Sequence, residues 1–139
     1  MNQFESSVKV IPYSNEQVYT TISDLTNLDK VKDKLPQDKI KDLQFDADSL
    51  SFSVPPVGTV TLRIIEREPG KCIKFETVNS PLPFNLWIQL VPTTETECKM
   101  KLTIRAELNP FIKGMIQKPL QEGLEKMAEM LSKIPYSMI

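Results

Sequence analysis

The sequence predicts an α+β domain: a curved antiparallel sheet of about seven strands, in the order β-α-α-β6-α, wrapped around a long C-terminal helix. Three observations carry that expectation. Between Phe4 and Ala106, short segments place apolar residues at every second position, the period of a half-buried strand. Short turn-like stretches separate most of them, so neighbouring strands pair antiparallel as a meander. From Asn109 onward the period changes to that of an amphipathic helix. With 139 residues, the chain 1–139 reads as one domain.

The elements follow in order. Phe4, Ser6, Val8 and Val10 alternate, so Phe4–Val10 reads as a strand with those four on one face. Pro12 ends it. Ser14 and Gln17 have the spacing of a capping box, in which each side chain satisfies the other's backbone amide. Val18, Tyr19, Ile22 and Leu25 then give a helix, and a second short helix is expected over Leu28–Leu35, stopped by Pro36. Strands follow at Leu43 and Phe45, at Leu50, Phe52 and Val54, and at Val60, Leu62 and Ile64. Further strands hold Ile73, Phe75 and Thr77, then Phe84, Leu86, Ile88 and Leu90. In the last strand Cys98, Met100, Leu102, Ile104 and Ala106 alternate with Lys99, Lys101, Thr103 and Arg105, which says one dry face and one wet face.

Composition excludes more than it selects. The 17 basic and 18 acidic residues leave a net charge of -1, so nothing attracts a polyanion and no nucleic-acid partner is expected. No apolar run is long enough to span a bilayer, and the first residues lack the pattern of a signal peptide. Two cysteines and six methionines fit a reduced, cytoplasmic setting. The chain has no histidine, which removes Ser-His and Cys-His nucleophile pairs and the common zinc ligands. Its four glycines are scattered, so there is no phosphate-binding loop. No metal and no cofactor are expected.

The stretch Val10-Ile-Pro-Tyr-Ser-Asn-Glu-Gln-Val-Tyr-Thr-Thr-Ile-Ser-Asp-Leu-Thr-Asn-Leu28 resembles the opening of START-like helix-grip proteins of the SRPBCC type. In that family a strand leads to a small-polar cap, a bulky pair (Val18-Tyr19) and a closing Ser23-Asp24-Leu25. The sequence departs from the pattern at Val31, near where many members carry tryptophan. The resemblance covers the order of elements over the whole chain. It implies a helix-grip fold and a class that includes polyketide cyclases and aromatases, coenzyme Q-binding proteins and lipid carriers.

The meander gives the sheet two unlike ends. Turns at Asp46–Ser49, Glu66–Lys71 and Thr93–Glu97 are charged and polar. At the opposite end, beside Asn109–Ile112, lie Pro55–Gly58 and Asn79–Phe84, carrying Val57, Leu82 and Phe84 next to Phe111 and Ile112. An apolar rim beside the gap between a helix and a curved sheet is a natural mouth for a hydrophobic ligand. The same side chains would equally plug the end of the core, or form a dimer contact or a membrane-touching patch.

Asn109 and Pro110 give the terminal helix an N-cap and a first-turn proline. Ile112, Met115, Ile116, Pro119, Leu120, Leu124, Met127, Ala128, Leu131 and Ile134 share one broad face. Gly114, Pro119 and Gly123 weaken the first half, Pro119 by roughly 3 kcal/mol and each glycine by about 1 kcal/mol. That half reads either as a kink following the sheet or as a movable cover.

The expected ligand-binding set is Tyr19, Leu62, Phe75, Leu82, Phe84, Leu86, Met100, Phe111, Ile112, Met115, Ile116 and Leu120. Ser6 and Thr77 are the polar exceptions on an otherwise apolar inner face, which argues against catalysis there. Cys72 and Cys98 fall on opposite faces, so both should be free thiols. Trp87 points outward. The favoured reading is a carrier or binder of a small hydrophobic or amphipathic molecule such as a lipid, quinone or polyketide. The alternatives are a cyclase or dehydratase-type enzyme and a protein-interaction module with a filled core. The apolar rim and the Trp87 face are the surfaces through which a homodimer would form.

Overall fold

The computed structural model describes residues 2–27, 41–54, 58–78, 83–134 and 136–138. The expected second helix over Leu28–Leu35 lies outside the described residues, as do Val57 and Leu82. The strands are β1 (Asn2–Glu5), β2 (Lys9–Ile11), β3 (Lys41–Phe45), β4 (Ser49–Val54), β5 (Gly58–Glu68), β6 (Cys72–Thr77), β7 (Phe84–Thr94) and β8 (Glu97–Ala106). The helices are α1 (Asn15–Ile22) and α2 (Pro110–Ser132), followed by a 3-10 turn at Tyr136–Met138. Every strand belongs to one antiparallel sheet in the order β1-β8-β7-β6-β5-β4-β3, with β2 also paired to β8. The meander, the long terminal helix and the helix-grip arrangement are as the sequence predicts.

The first strand is the exception. Glu5 pairs with Thr103 but Lys9 pairs with Met100, so three residues of the first strand face two of β8. One extra residue is a β-bulge, and it flips the side-chain parity beyond it. Phe4 and Ser6 therefore point into the core, while Val8 and Val10 are exposed and Ile11 is buried instead. Ser6 mends the ladder. Its hydroxyl accepts from Leu102 N–H at 2.9 Å, and its own amide donates to Leu102 C=O at 2.9 Å.

That bulge is also where α2 is fastened. Gln121 donates to the Glu5 carbonyl at 2.8 Å. The Glu125 carboxylate accepts from the Ser7 amide and, at 3.0 Å, from the Ser7 hydroxyl, with Lys9 Nζ 3.9 Å away. From this attachment α2 lies along β8, β1 and β2 and reaches across to β4. Leu120, Leu124, Met127, Ala128 and Leu131 are buried beneath it, joined by Met130, which lies outside the predicted apolar face.

Both predicted caps form, with one difference. Asn109 Oδ1 accepts from Ile112 N–H at 2.8 Å, with Pro110 in the first turn. Ser14 Oγ accepts from Gln17 N–H at 3.1 Å, but the Gln17 amide does not return to Ser14. It donates to the Tyr136 carbonyl at 3.3 Å, so half the box serves to hold the C-terminal turn.

Candidate ligand site between the sheet and the terminal helix

The lower end of the sheet, where the charged turns lie, is latched shut by α1 and its flank. Asn15 donates to the Gly70 carbonyl at 2.9 Å, in a turn that Gly70 makes with φ 72°. Arg67 Nε donates to Ser23 C=O at 3.0 Å while its other end pairs with Asp48 at 2.6 Å, and Leu25 N–H bonds the Ala47 carbonyl at 3.1 Å. Tyr136 fills the space inside. It is fully buried, its hydroxyl donates to Leu131 C=O at 2.6 Å, and its ring meets Tyr13 edge-on at 5.5 Å. Burial first, and the neighbouring Cys98 second, push the Tyr136 hydroxyl far above the usual phenol range, so it stays protonated. Sequence reasoning missed this residue as a core member because a lone tyrosine in a tail has no periodicity to reveal it.

Above that plug, Leu62, Phe75, Leu86 and Met100 share the inner face of β5 to β8, with Phe75 directly opposite Leu86 and Leu90 opposite Met100. All four are sealed from solvent, as is Leu102. The middle of the domain is therefore packed solid at the level of these residues.

Small amounts of apolar surface remain around this layer, at Ile64, Leu90, Met127 and Leu131 as well as higher up. Phe84 and Ile104, at the upper end of β7 and β8, and Ile116 and Leu120 in the first half of α2 each retain a few per cent of exposure. Beyond them the helix start projects into solvent, with Phe111 79%, Met115 59% and Ile112 39% exposed. At 100° per residue, Phe111 and Met115 lie across the helix from the buried Ile116, Leu120 and Leu124. The structure thus brings together Leu62, Phe75, Leu86 and Met100 below and Phe84, Ile116 and Leu120 above. It does not bring Phe111 or Met115 to them, since both face outward; Tyr19 is half-buried on α1 and packs against the same core.

Among the described residues, the inner polar side chains are engaged. Ser6 is tied to Leu102, Thr77 Oγ1 accepts from Phe84 N–H at 3.2 Å, and Thr21 donates to Gln17 C=O at 3.0 Å. Cys98 is buried and Cys72 half-buried, both free. Burial raises both thiols above their ordinary range, aided by Glu68 and Glu66 for Cys72 and by Glu97 for Cys98. Among the described residues no group of three or more acidic or Cys side chains could hold a metal ion.

On the outer face, Trp87 lies under two cations, Lys74 Nζ at 5.2 Å and Arg105 Cζ at 5.5 Å from the ring centre. A shallow depression of about 300 Å³ opens beside it, between Glu76, Asn85, Arg105 and Glu107 at the upper edge. Thr77, Pro83, Phe84 and Ala106 also line it, so it adjoins the apolar upper end of the sheet at Phe84.

The sequence profile of the polyketide cyclase/dehydrase and lipid transport family matches residues 1–132. The chain belongs to this family. Solved structures agree on the fold of this family member. Norcoclaurine synthase from Thalictrum flavum, in complex with dopamine and hydroxybenzaldehyde, superposes with a TM-score of 0.71 at 18% identity, over 95% of this chain and 84% of that one. A protein of Thermus thermophilus gives 0.66 at 19% identity over 94% of both chains. One of Chromobacterium violaceum gives 0.59 at 16% identity, over 95% of this chain and 99% of the other. No curated protein sequence matches this family member. At such identities the likeness is one of fold.

Proposed function

We propose that the protein binds a small hydrophobic or amphipathic molecule, without transforming it, between the upper half of α2 and the sheet. One observation carries the reading: among the described residues the inner face offers apolar surface while its polar groups are already spent on backbone or helix bonds. Ser6, Thr21 and Thr77 have their hydroxyls engaged, and Tyr136 and Cys98 are held in their protonated forms. Such a surface attracts an apolar body by burial and supplies no general acid or base to act on it. The ligand would enter between Phe84 and Ile116–Leu120 and press α2 outward at its weak half, since the interior below is already full.

Native mass spectrometry with a panel of lipids, quinones and aromatic polyketides tests this. A stoichiometric adduct with one class, weakened by Leu120→Asp, is the expected result. With Leu62 and Phe75 sealed in the unliganded protein, absence of any adduct overturns the reading. The sealed centre favours a second reading, a filled-core interaction module, for which the same experiment would return no adduct and a partner would contact the helix start.

A further inference from the structure

We propose that the depression at the upper edge of the outer face binds a small zwitterion, in which Arg105 takes an acid group, Glu107 takes an ammonium, and Pro83 and Phe84 take a short apolar body. The sheet register builds this site. Glu76, Asn85 and Arg105 stand in one row across β6, β7 and β8 on the wet face. Phe84 pairs with Ala106 in the next row, both buried on the dry face, and Glu107 follows just past the end of β8. The space among them is about 300 Å³, at the small end of ligand sites, so its occupant is of amino-acid rather than lipid size.

Charge balance selects the chemistry of the occupant. Glu76 is already paired with Arg63, and Lys74, over Trp87 one rung below, is not part of the lining. Arg105 spends Nε on Gln3 Oε1 at 2.9 Å, and its two terminal nitrogens have no hydrogen-bond partner among the described residues. Gln3 and the Trp87 ring, 5.5 Å from Cζ, hold that guanidinium in place before a ligand arrives. Glu107 has neither a hydrogen bond nor an ion pair among the described residues. Asn85 is held by Nδ2–H to Phe75 C=O at 3.2 Å, which leaves Oδ1 to accept from a ligand. What remains in the lining is a cation and an anion two positions apart, at most about 7 Å along the backbone. A simple anion drawn to Arg105 meets Glu107, and a simple cation drawn to Glu107 meets Arg105. A molecule carrying both charges satisfies both side chains.

The test is an amide chemical-shift titration of the full chain with phenylalanine, set against its methyl ester, which is only a cation, and N-acetylphenylalanine, which is only an anion. Phenylalanine should bind about fivefold more tightly than either, as one exposed ion pair allows, with saturable shifts at Asn85, Ala106 and Glu107. Arg105→Gln should bring its affinity down to that of the ester, and Glu107→Gln down to that of the N-acetyl compound. Both side chains are exposed, so the circular dichroism spectrum should not change in either variant. Glycerophosphoethanolamine carries the same two charges, and tighter binding of it than of phenylalanine would identify the acid group as a phosphate. No saturable shift with either zwitterion, or equal affinity for the three phenylalanine compounds, overturns the proposal. So do shifts centred away from the upper ends of β7 and β8. The apolar adduct proposed above should persist in Arg105→Gln and Glu107→Gln, so this site and the space under α2 fail separately.

Discussion

Ser6 stands where the sheet would otherwise lose a rung. The bulge carries its neighbours out of register, and the Ser6 hydroxyl supplies the acceptor that the buried Leu102 amide needs. Replacing it by alanine leaves that N–H without a partner in the core, which costs about 1–3 kcal/mol. Ser6→Ala should therefore lower the urea midpoint with no change in m. A loss of only a few tenths would mean that water or a shifted strand replaces the hydroxyl. The thiols make a second prediction. Alkylation proceeds through the thiolate, and burial with nearby carboxylates raises both pKa values, so less thiolate is present at neutral pH than at an ordinary cysteine. In the native protein Cys72 should react with iodoacetamide slowly, faster as pH rises, and Cys98 only after unfolding. Rapid labelling of both at neutral pH would contradict the packing around β8. Trp87 shows how far a side chain can be read in advance. Alternation places it outward, but its pairing with Lys74 depends on the β6–β7 register, which no local pattern contains.

Helix α2 is two elements in one continuous run. Its second half is built of good helix formers and bolted to the bulge through Gln121 and Glu125. Its first half carries Gly114 and Pro119, and Pro119 cannot donate to the Met115 carbonyl. Neither Gly114 nor Gly123 is required by sterics, since a Cβ at either position would meet nothing within 4 Å. Gly123→Ala should stabilise the protein by about 0.5–1 kcal/mol, seen as a higher Tm. Gly114→Ala should give distinctly less if the first half opens before global unfolding, and an equal gain would show that both halves melt together. The division between weak and firm halves is legible in composition alone. The fastening is not, because it depends on a bulge. Phe4, Ser6, Val8 and Val10 fit an unbroken alternation perfectly well, and an inserted residue leaves no trace in a pattern until its partner strand is known. Gln17 departs from its expected role for a related reason: the local capping partner loses to Tyr136, over a hundred residues away in sequence.

At the scale of the molecule, the two ends differ among the described residues. Below, α1, the turns at Asp46–Ser49 and Glu66–Lys71, and Tyr136 interlock through side-chain bonds, to backbone at Gly70, Ser23, Tyr136 and Leu131 and to Asp48. Above, the sheet hands over to a helix start whose apolar side chains face solvent. The two-ended character follows from turn composition, and the sequence shows it; that the centre is packed is a matter of side-chain volumes in three dimensions, which it does not show. If binding requires α2 to lift, the lifting must be a sub-global opening of the first half, hinged near Pro119 while Gln121 and Glu125 hold. Native-state hydrogen exchange measures this directly. Amides of Ile116–Leu120 should exchange through an opening of lower free energy, weakly dependent on denaturant, whereas those of Leu124–Leu131 should exchange only with global unfolding. A bound ligand should raise protection in the first half selectively, because it binds the opened space and is released through it. Equal protection along the whole helix would leave no path into the sealed interior, and the protein would then work through its surface alone.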